Sequence, residues 1–182
     1  MMKKTSLLIV LLVWGIGADN MRADDSWRAV LAQQVPRLGH RNWIVIADSA
    51  YPAQSNPGIT TVATGADQLE VVKATLKELQ KAGHVRPIVQ LDAELASFPG
   101  DLLPGMDSYR NKLEHLLKGA QVIQLPHEEL IKKLDSAADL FNILILKTNL
   151  KLPYTSVFLM LDCAYWGEAA DKTRLEALRK RK

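Results

Sequence analysis

Trp43-Ile44-Val45-Ile46-Ala47-Asp48 is the stretch from which the fold can be read. A continuous apolar run of this length is what a strand covered on both faces requires, and a carboxylate follows it at once. Upstream, Ser26 can cap a short helix with Val30 and Leu31 on its inner face, stopping before Pro36. Downstream, Ile59 to Ala63 is a second strand, and Leu69, Val72, Leu76 and Leu79 mark one face of a helix ending at Gly83. Pro87 to Leu91 is the next strand, with Pro87 acceptable only at its start. Phe98 to Gly105, rich in Pro and Gly, is a loop. Asp107 or Ser108 then caps a helix carrying Leu113, Leu116 and Leu117 and ending at Gly119. Gln121 to Leu125 is a strand, and Pro126 opens a helix holding Leu130, Ile131 and Leu134. Phe141 to Lys147 and Ser156 to Asp162 follow, joined by too few residues for a crossover helix and so antiparallel. Strands alternating with helices predict a three-layer α/β/α domain with a mainly parallel mixed sheet and a C-terminal antiparallel hairpin.

The whole chain of 182 residues, 48% hydrophobic and 24% charged, suits one such domain with a real core and excludes disorder and low complexity. A lone Cys163 can neither close an internal disulfide nor anchor a cysteine-based zinc site. It ends an apolar strand, where a buried, inert thiol is expected.

The N-terminus reads as an address. Lys3 and Lys4 precede an uncharged run from Leu7 to Ile16, and small residues follow at Gly17 and Ala18. This is the pattern of a secretory signal over residues 1–23, and it is shorter than the roughly 20 apolar residues of a spanning helix. An uncleaved anchor is the alternative; with no cysteine after the run, a lipoprotein anchor is excluded. The expectation is therefore an exported protein, periplasmic or secreted. Removing Lys3, Lys4 and Arg22 from the 23 basic residues and Asp19 from the 20 acidic ones lowers the net charge from +3 to +1. Such a balance gives no reason to expect nucleic acid, or a membrane after signal removal, as a partner. The remaining excess sits in Arg179-Lys180-Arg181-Lys182. This basic extension from residue 167 is either solvated or, with Leu175 and Leu178 on one side, a short amphipathic helix over an oligomer surface.

His40, Asp48, His127 and Tyr154 stand at strand ends, where a scaffold presents side chains to a ligand. Each has an ordinary reading too. His40 can be a surface histidine, His127 can satisfy helix-start groups, Asp48 can cap the turn toward Tyr51-Pro52, and Tyr154 can be a packed aromatic. A Gly-rich phosphate loop, a Gly-x-Ser-x-Gly elbow and a His-Glu-x-x-His pair are all absent from the sequence. His84 and His115 lie on or beside helices with no ligand spacing and are expected to face solvent.

Together the four residues sit in a recognisable order. Arg37-Leu38-Gly39-His40, a short strand, and Asp48-Ser49-Ala50-Tyr51-Pro52 resemble the D-ribose pyranase and L-fucose mutarotase family. Pro126-His127-Glu128-Glu129-Leu130 resembles its second histidine segment, and Pro153-Tyr154-Thr155-Ser156 its Pro-Tyr-x-Asn segment. The likeness runs over about residues 26–165. It implies that His40 is the acid/base residue and that Asp48, His127, Tyr154, Thr155 and Ser156 bind a free monosaccharide. Ser156 stands where the family has Asn, and Ala50 where a Gly or Asn is usual. These departures bear on the substrate more than on the reaction class.

The implied reaction opens a cyclic hemiacetal and lets it reclose as another anomer or ring size. One proton leaves the anomeric hydroxyl while another reaches the ring oxygen, a task suited to imidazole with its reference pKa of about 6.5. The reaction calls for no cofactor and no metal. Strand directions add a constraint: Asp48, His127 and Tyr154 belong at the carboxyl edge of the sheet, where open α/β sheets bind ligands, and His40 at the opposite edge. A five-residue strand alone spans roughly 16 Å, so one chain cannot bring all four around one sugar. The expected solution joins His40 of one subunit to Asp48, His127 and Tyr154 of its neighbour in a closed ring, in keeping with the family's pentamer-based decamers. The competing expectation is a non-catalytic oligomeric sugar-binding or scaffold protein on the same fold.

Overall fold

The computed structural model describes residues 23–99 and 101–180. Residues 1–22 of the expected secretory signal and the last two basic residues lie outside the described residues.

Six strands, β1 (Trp43–Ala47), β2 (Ile59–Ala63), β3 (Val85–Asp92), β4 (Val122–Leu125), β5 (Ile143–Lys147) and β6 (Val157–Cys163), form one sheet in the order β2-β5-β1-β6-β3-β4. β2, β5 and β1 run parallel, as do β3 and β4, while β6 is antiparallel to both its neighbours. Among the described residues the α-helices are α1 (Ala23–Gln34), α2 (Gln68–Ala82), α3 (Met106–Leu116), α4 (His127–Ala138) and α5 (Glu168–Arg179).

Burial explains the layering. Every residue of β1 is buried, so it needs cover on both faces. Ile44 and Ile46 meet Trp27 and Leu31 of α1, Val71, Val72 and Leu79 of α2, and Met106 and Leu113 of α3. On the other face Trp43, Val45 and Phe158 meet Leu130, Leu134 and Ala138 of α4. The three-layer α/β/α class and the mainly parallel mixed sheet are as expected.

The C-terminal hairpin is not. β6 runs opposite to β5 but pairs with β1 and β3, and β1 lies between the two. The nine residues 148–156 step across β1, a reach of about 10 Å, two strand spacings. Val157, Phe158 and Leu159 are fully buried there, which an edge position could not provide.

Smaller corrections have local causes. α1 starts at Ala23, so Ser26 sits in its first turn rather than before it. Gly105 at φ 93° precedes α3, and neither Asp107 nor Ser108 caps it. Pro87 lies third in β3 rather than at its start, yet is tolerated there. The amide of Val89 donates to Gln121 O, so position 87 faces the same side two residues earlier, where β4 has not begun. Gly83, at φ 68°, ends α2 in the left-handed conformation as expected.

A close approach fixes one further position. A Cβ on Gly58 would lie 2.5 Å from the carbonyl of Ala138 and 3.0 Å from that of Phe141. Gly58→Ala is therefore expected to cost about 2 kcal/mol, read as a lower urea midpoint at unchanged slope. An unchanged midpoint would show that the α4–β5 turn can move aside.

Candidate active site

The carboxyl edge gathers residues from the ends of β1, β3 and β4 and from the loop before β6. Asp48 follows β1. Its Oδ1 accepts from the Ala50 amide at 2.8 Å, and its Oδ2 accepts from the Ser156 hydroxyl at 3.2 Å. The turn-capping reading of Asp48 thus holds, and the cap aims the carboxylate. Ser156 is buried, so it meets the site through Asp48.

His127 opens α4, but its ring is not the helix cap. The carboxylate of Glu94 takes that duty, accepting the His127 amide at 3.1 Å on both oxygens, which suits the positive end of a helix. The ring is left to face Asp92, with Nδ1 2.9 Å from Oδ1. Asp92 ends β3 and is 1% exposed, and its other oxygen has no hydrogen-bond partner. Burial holds the Asp92 carboxyl above the usual carboxylate range, partly offset by the hydrogen bond and charge of His127.

Tyr154 stands over this pair. Its ring meets His127 edge-on at 5.2 Å and 89°, and Phe98 at 5.6 Å. It adopts φ 55°, a left-handed conformation that costs an ordinary residue about 1–2 kcal/mol. The next residue keeps it there. Thr155 is fully buried; its hydroxyl donates to Leu152 O at 2.7 Å and its carbonyl accepts from Tyr109 Oη at 2.7 Å and from Gln68 Nε2. The Gln68 amide oxygen in turn accepts from Thr148 Oγ1 at 3.0 Å. Thr155 anchors the Tyr154 turn, and its own polar groups point inward. Gln68→Leu leaves the Thr148 hydroxyl with one partner fewer and loosens the turn. It is expected to cost about 1–3 kcal/mol and to raise KM for any ligand that touches Tyr154; unfolding and turnover that both match the wild type would contradict this.

His40 is elsewhere. It is exposed, beside Asp162 near the end of β6, in a groove of about 1090 Å³ that also holds Arg86, Cys163, Tyr165 and Trp166. Ser156 precedes β6 and Asp162 is its last residue but one, so His40 and Asp48 lie at opposite edges of the sheet. The structure places two pairs at the carboxyl edge, Asp48 with Ser156 and His127 with Tyr154, and leaves His40 apart, as strand direction required. Two other expectations change. Cys163 is half-exposed rather than buried, and His84 is half-buried, its Nε2 2.9 Å from Leu38 O and its Nδ1 3.2 Å from Ala82 O. His84 thereby pins the loop carrying His40 to the end of α2.

Asp92, Glu94 and Gln68 were not singled out from the sequence. Asp92 had a signal: like Asp48, it is an acid closing an apolar strand. The others had none, since their roles depend on segments far apart in the chain.

The class is a mixed α/β domain that carries a carboxylate, an oriented imidazole and a tyrosine at the carboxyl edge of its sheet, the edge where open α/β sheets bind ligands. A family model described as the RbsD / FucU transport protein family matches residues 21–161, and the chain belongs to that family. Among curated proteins none matches. Among solved structures the chain is similar to RbsD of Bacillus subtilis complexed with D-ribose, at 21% identity and TM-score 0.51, covering 72% of this chain and 89% of that one. It is also similar to FucU from Bifidobacterium longum, at 19% identity and TM-score 0.49, covering 72% and 90%. A third is the fucose mutarotase of Streptococcus pneumoniae in complex with L-fucose, at 17% and 0.47, covering 70% and 87%.

Proposed function

We propose that this protein is a cofactor-independent monosaccharide mutarotase or pyranase, interconverting anomers or ring forms by acid–base opening and closing of the hemiacetal. The observation that carries this reading is the carboxyl edge of the sheet, where the Asp48 carboxylate is held by Ser156 and the His127 ring, turned by Asp92, meets Tyr154. Family membership and a relative that holds D-ribose support it.

In this reading His40 moves the proton between the anomeric hydroxyl and the ring oxygen, a contribution of about 10²–10⁴-fold. Asp48 accepts from sugar hydroxyls on the lone pairs its turn leaves free. His127, steered by Asp92 through Nδ1, presents Nε2 to a further hydroxyl. Tyr154 adds its own hydroxyl and an apolar face. Thr155 and Ser156 hold Tyr154 and Asp48 in place. Because His40 and Asp48 lie at opposite sheet edges, the working site joins His40 of one subunit to the cluster of the next, in a head-to-tail ring. A pentamer-based decamer and export through the segment 1–23 are part of the proposal. Light scattering and the N-terminal sequence of the secreted or periplasmic protein test them.

Exchange spectroscopy on ribose, fucose and related sugars tests the reaction itself, with His40→Ala alongside. Exchange above the spontaneous rate, lost in the variant, is expected; unchanged exchange across the panel overturns the enzyme. One observation favours a second reading, a non-catalytic sugar-binding protein: within a single chain His40 is remote from the cluster, so binding without turnover needs only the carboxyl edge. Saturable sugar binding with spontaneous exchange rates would select it.

A further inference from the structure

Tyr165, Trp166 and α5 lie beyond residues 21–161 that the family model matches, yet they wall the groove that holds His40. Tyr165 is 79% exposed and Trp166 46%. Two large rings this open to water are unusual away from a binding surface. The Trp166 indole shares this groove with the Asp171 carboxylate, whose Oδ1 accepts from Arg174 Nε at 2.8 Å. Elsewhere in the groove, Arg86 is clamped to Asp162 Oδ2 through Nε at 3.0 Å and Nη2 at 2.7 Å, beside His40. The groove therefore combines an imidazole, a fixed guanidinium–carboxylate pair and two aromatic faces. Fixed polar groups that match hydroxyls, with an aromatic face for C–H groups, are what a neutral polyhydroxylated ring requires.

We propose that Trp166, with Tyr165 beside it, is the stacking platform that holds the apolar face of the sugar against His40. The proposal rests on the reading of His40 given above and extends the site to a segment outside the matched family region. Stacking rewards the larger apolar face, so the platform favours a 6-deoxy pyranose such as L-fucose over a pentose such as D-ribose.

The test uses the assembled full-length protein, with KM and kcat from exchange spectroscopy on L-fucose and D-ribose. Trp166→Ala is expected to raise KM for L-fucose about tenfold, more than for D-ribose, with kcat changed by less than about twofold. Trp166→Phe keeps a stacking face and a KM near that of the wild type. In protein freed of residues 1–23, which carry Trp14, it also removes the sugar-dependent change in tryptophan emission, because Trp27 and Trp43 are 0% and 4% exposed. An unchanged KM in Trp166→Ala overturns the platform. So does a raised KM accompanied by dissociation of the oligomer in light scattering, which assigns the ring to a subunit contact. If the wild type neither binds nor exchanges either sugar, the reading of the site falls and the platform with it. If the wild type exchanges sugar and Trp166→Ala keeps its KM, the platform alone falls.

Discussion

Mixing His40→Ala and Asp48→Ala chains during assembly is expected to restore about one quarter of wild-type exchange activity from two inactive parents, because one site in four then pairs an intact His40 with an intact Asp48 pocket. The expectation follows from strand direction. β1 carries His40 before its first residue and Asp48 after its last, and the register of β1 with β6 places one near Asp162 and the other on Ser156. Each single substitution should lower exchange by about 10²–10⁴-fold, the usual worth of one general acid–base group. The Asp48→Ala loss comes through binding as well, and it also removes the acceptor of the Ala50 amide. Co-refolded mixtures that stay inactive, while each parent assembles and still binds sugar, would show that the two residues do not share a site.

Asp92→Asn is expected to separate activity from stability. Exchange should fall about 10–100-fold, because the buried carboxylate that orients a functional imidazole is gone. Stability at neutral pH should rise, read as a higher Tm. The sign follows from the direction of the shift. Burial raises the Asp92 carboxyl above its ordinary 3.8, so the folded state favours the protonated acid. That contribution is complete below 3.8 and is lost as pH climbs through the raised folded value. The neutral amide has no such loss, so wild type and variant should converge in acid and diverge toward neutrality. Urea midpoints measured across pH check this; a variant with wild-type turnover, or one equally destabilised at every pH, contradicts the role given to Asp92.

Much of the fold was legible because burial leaves a direct mark on composition. β1 and β2 coincide with their expected bounds, and α2 begins and ends where apolar spacing and Gly83 require. The partner of β6 was not legible. Its apolar residues demand cover on both faces but do not say which strands supply it, and adjacency in sequence suggested the wrong one. The tail shows the same limit: Glu168–Arg179 is a helix with no buried residue, and nothing in its apolar spacing told whether it would be covered.

For the proposed site, the sequence alone singled out His40, Asp48, His127 and Tyr154 and the edge of the sheet each must occupy. Both follow from local facts, the residue type and the direction of its strand. Only the tertiary structure decided how those residues are held. Asp92 behind His127, Glu94 on the start of α4, and Gln68 with Tyr109 beneath the Tyr154 turn all join segments dozens of residues apart. A buried polar group chooses its partner by what the packed chain brings within about 3 Å, and no spacing along one strand or helix encodes that choice.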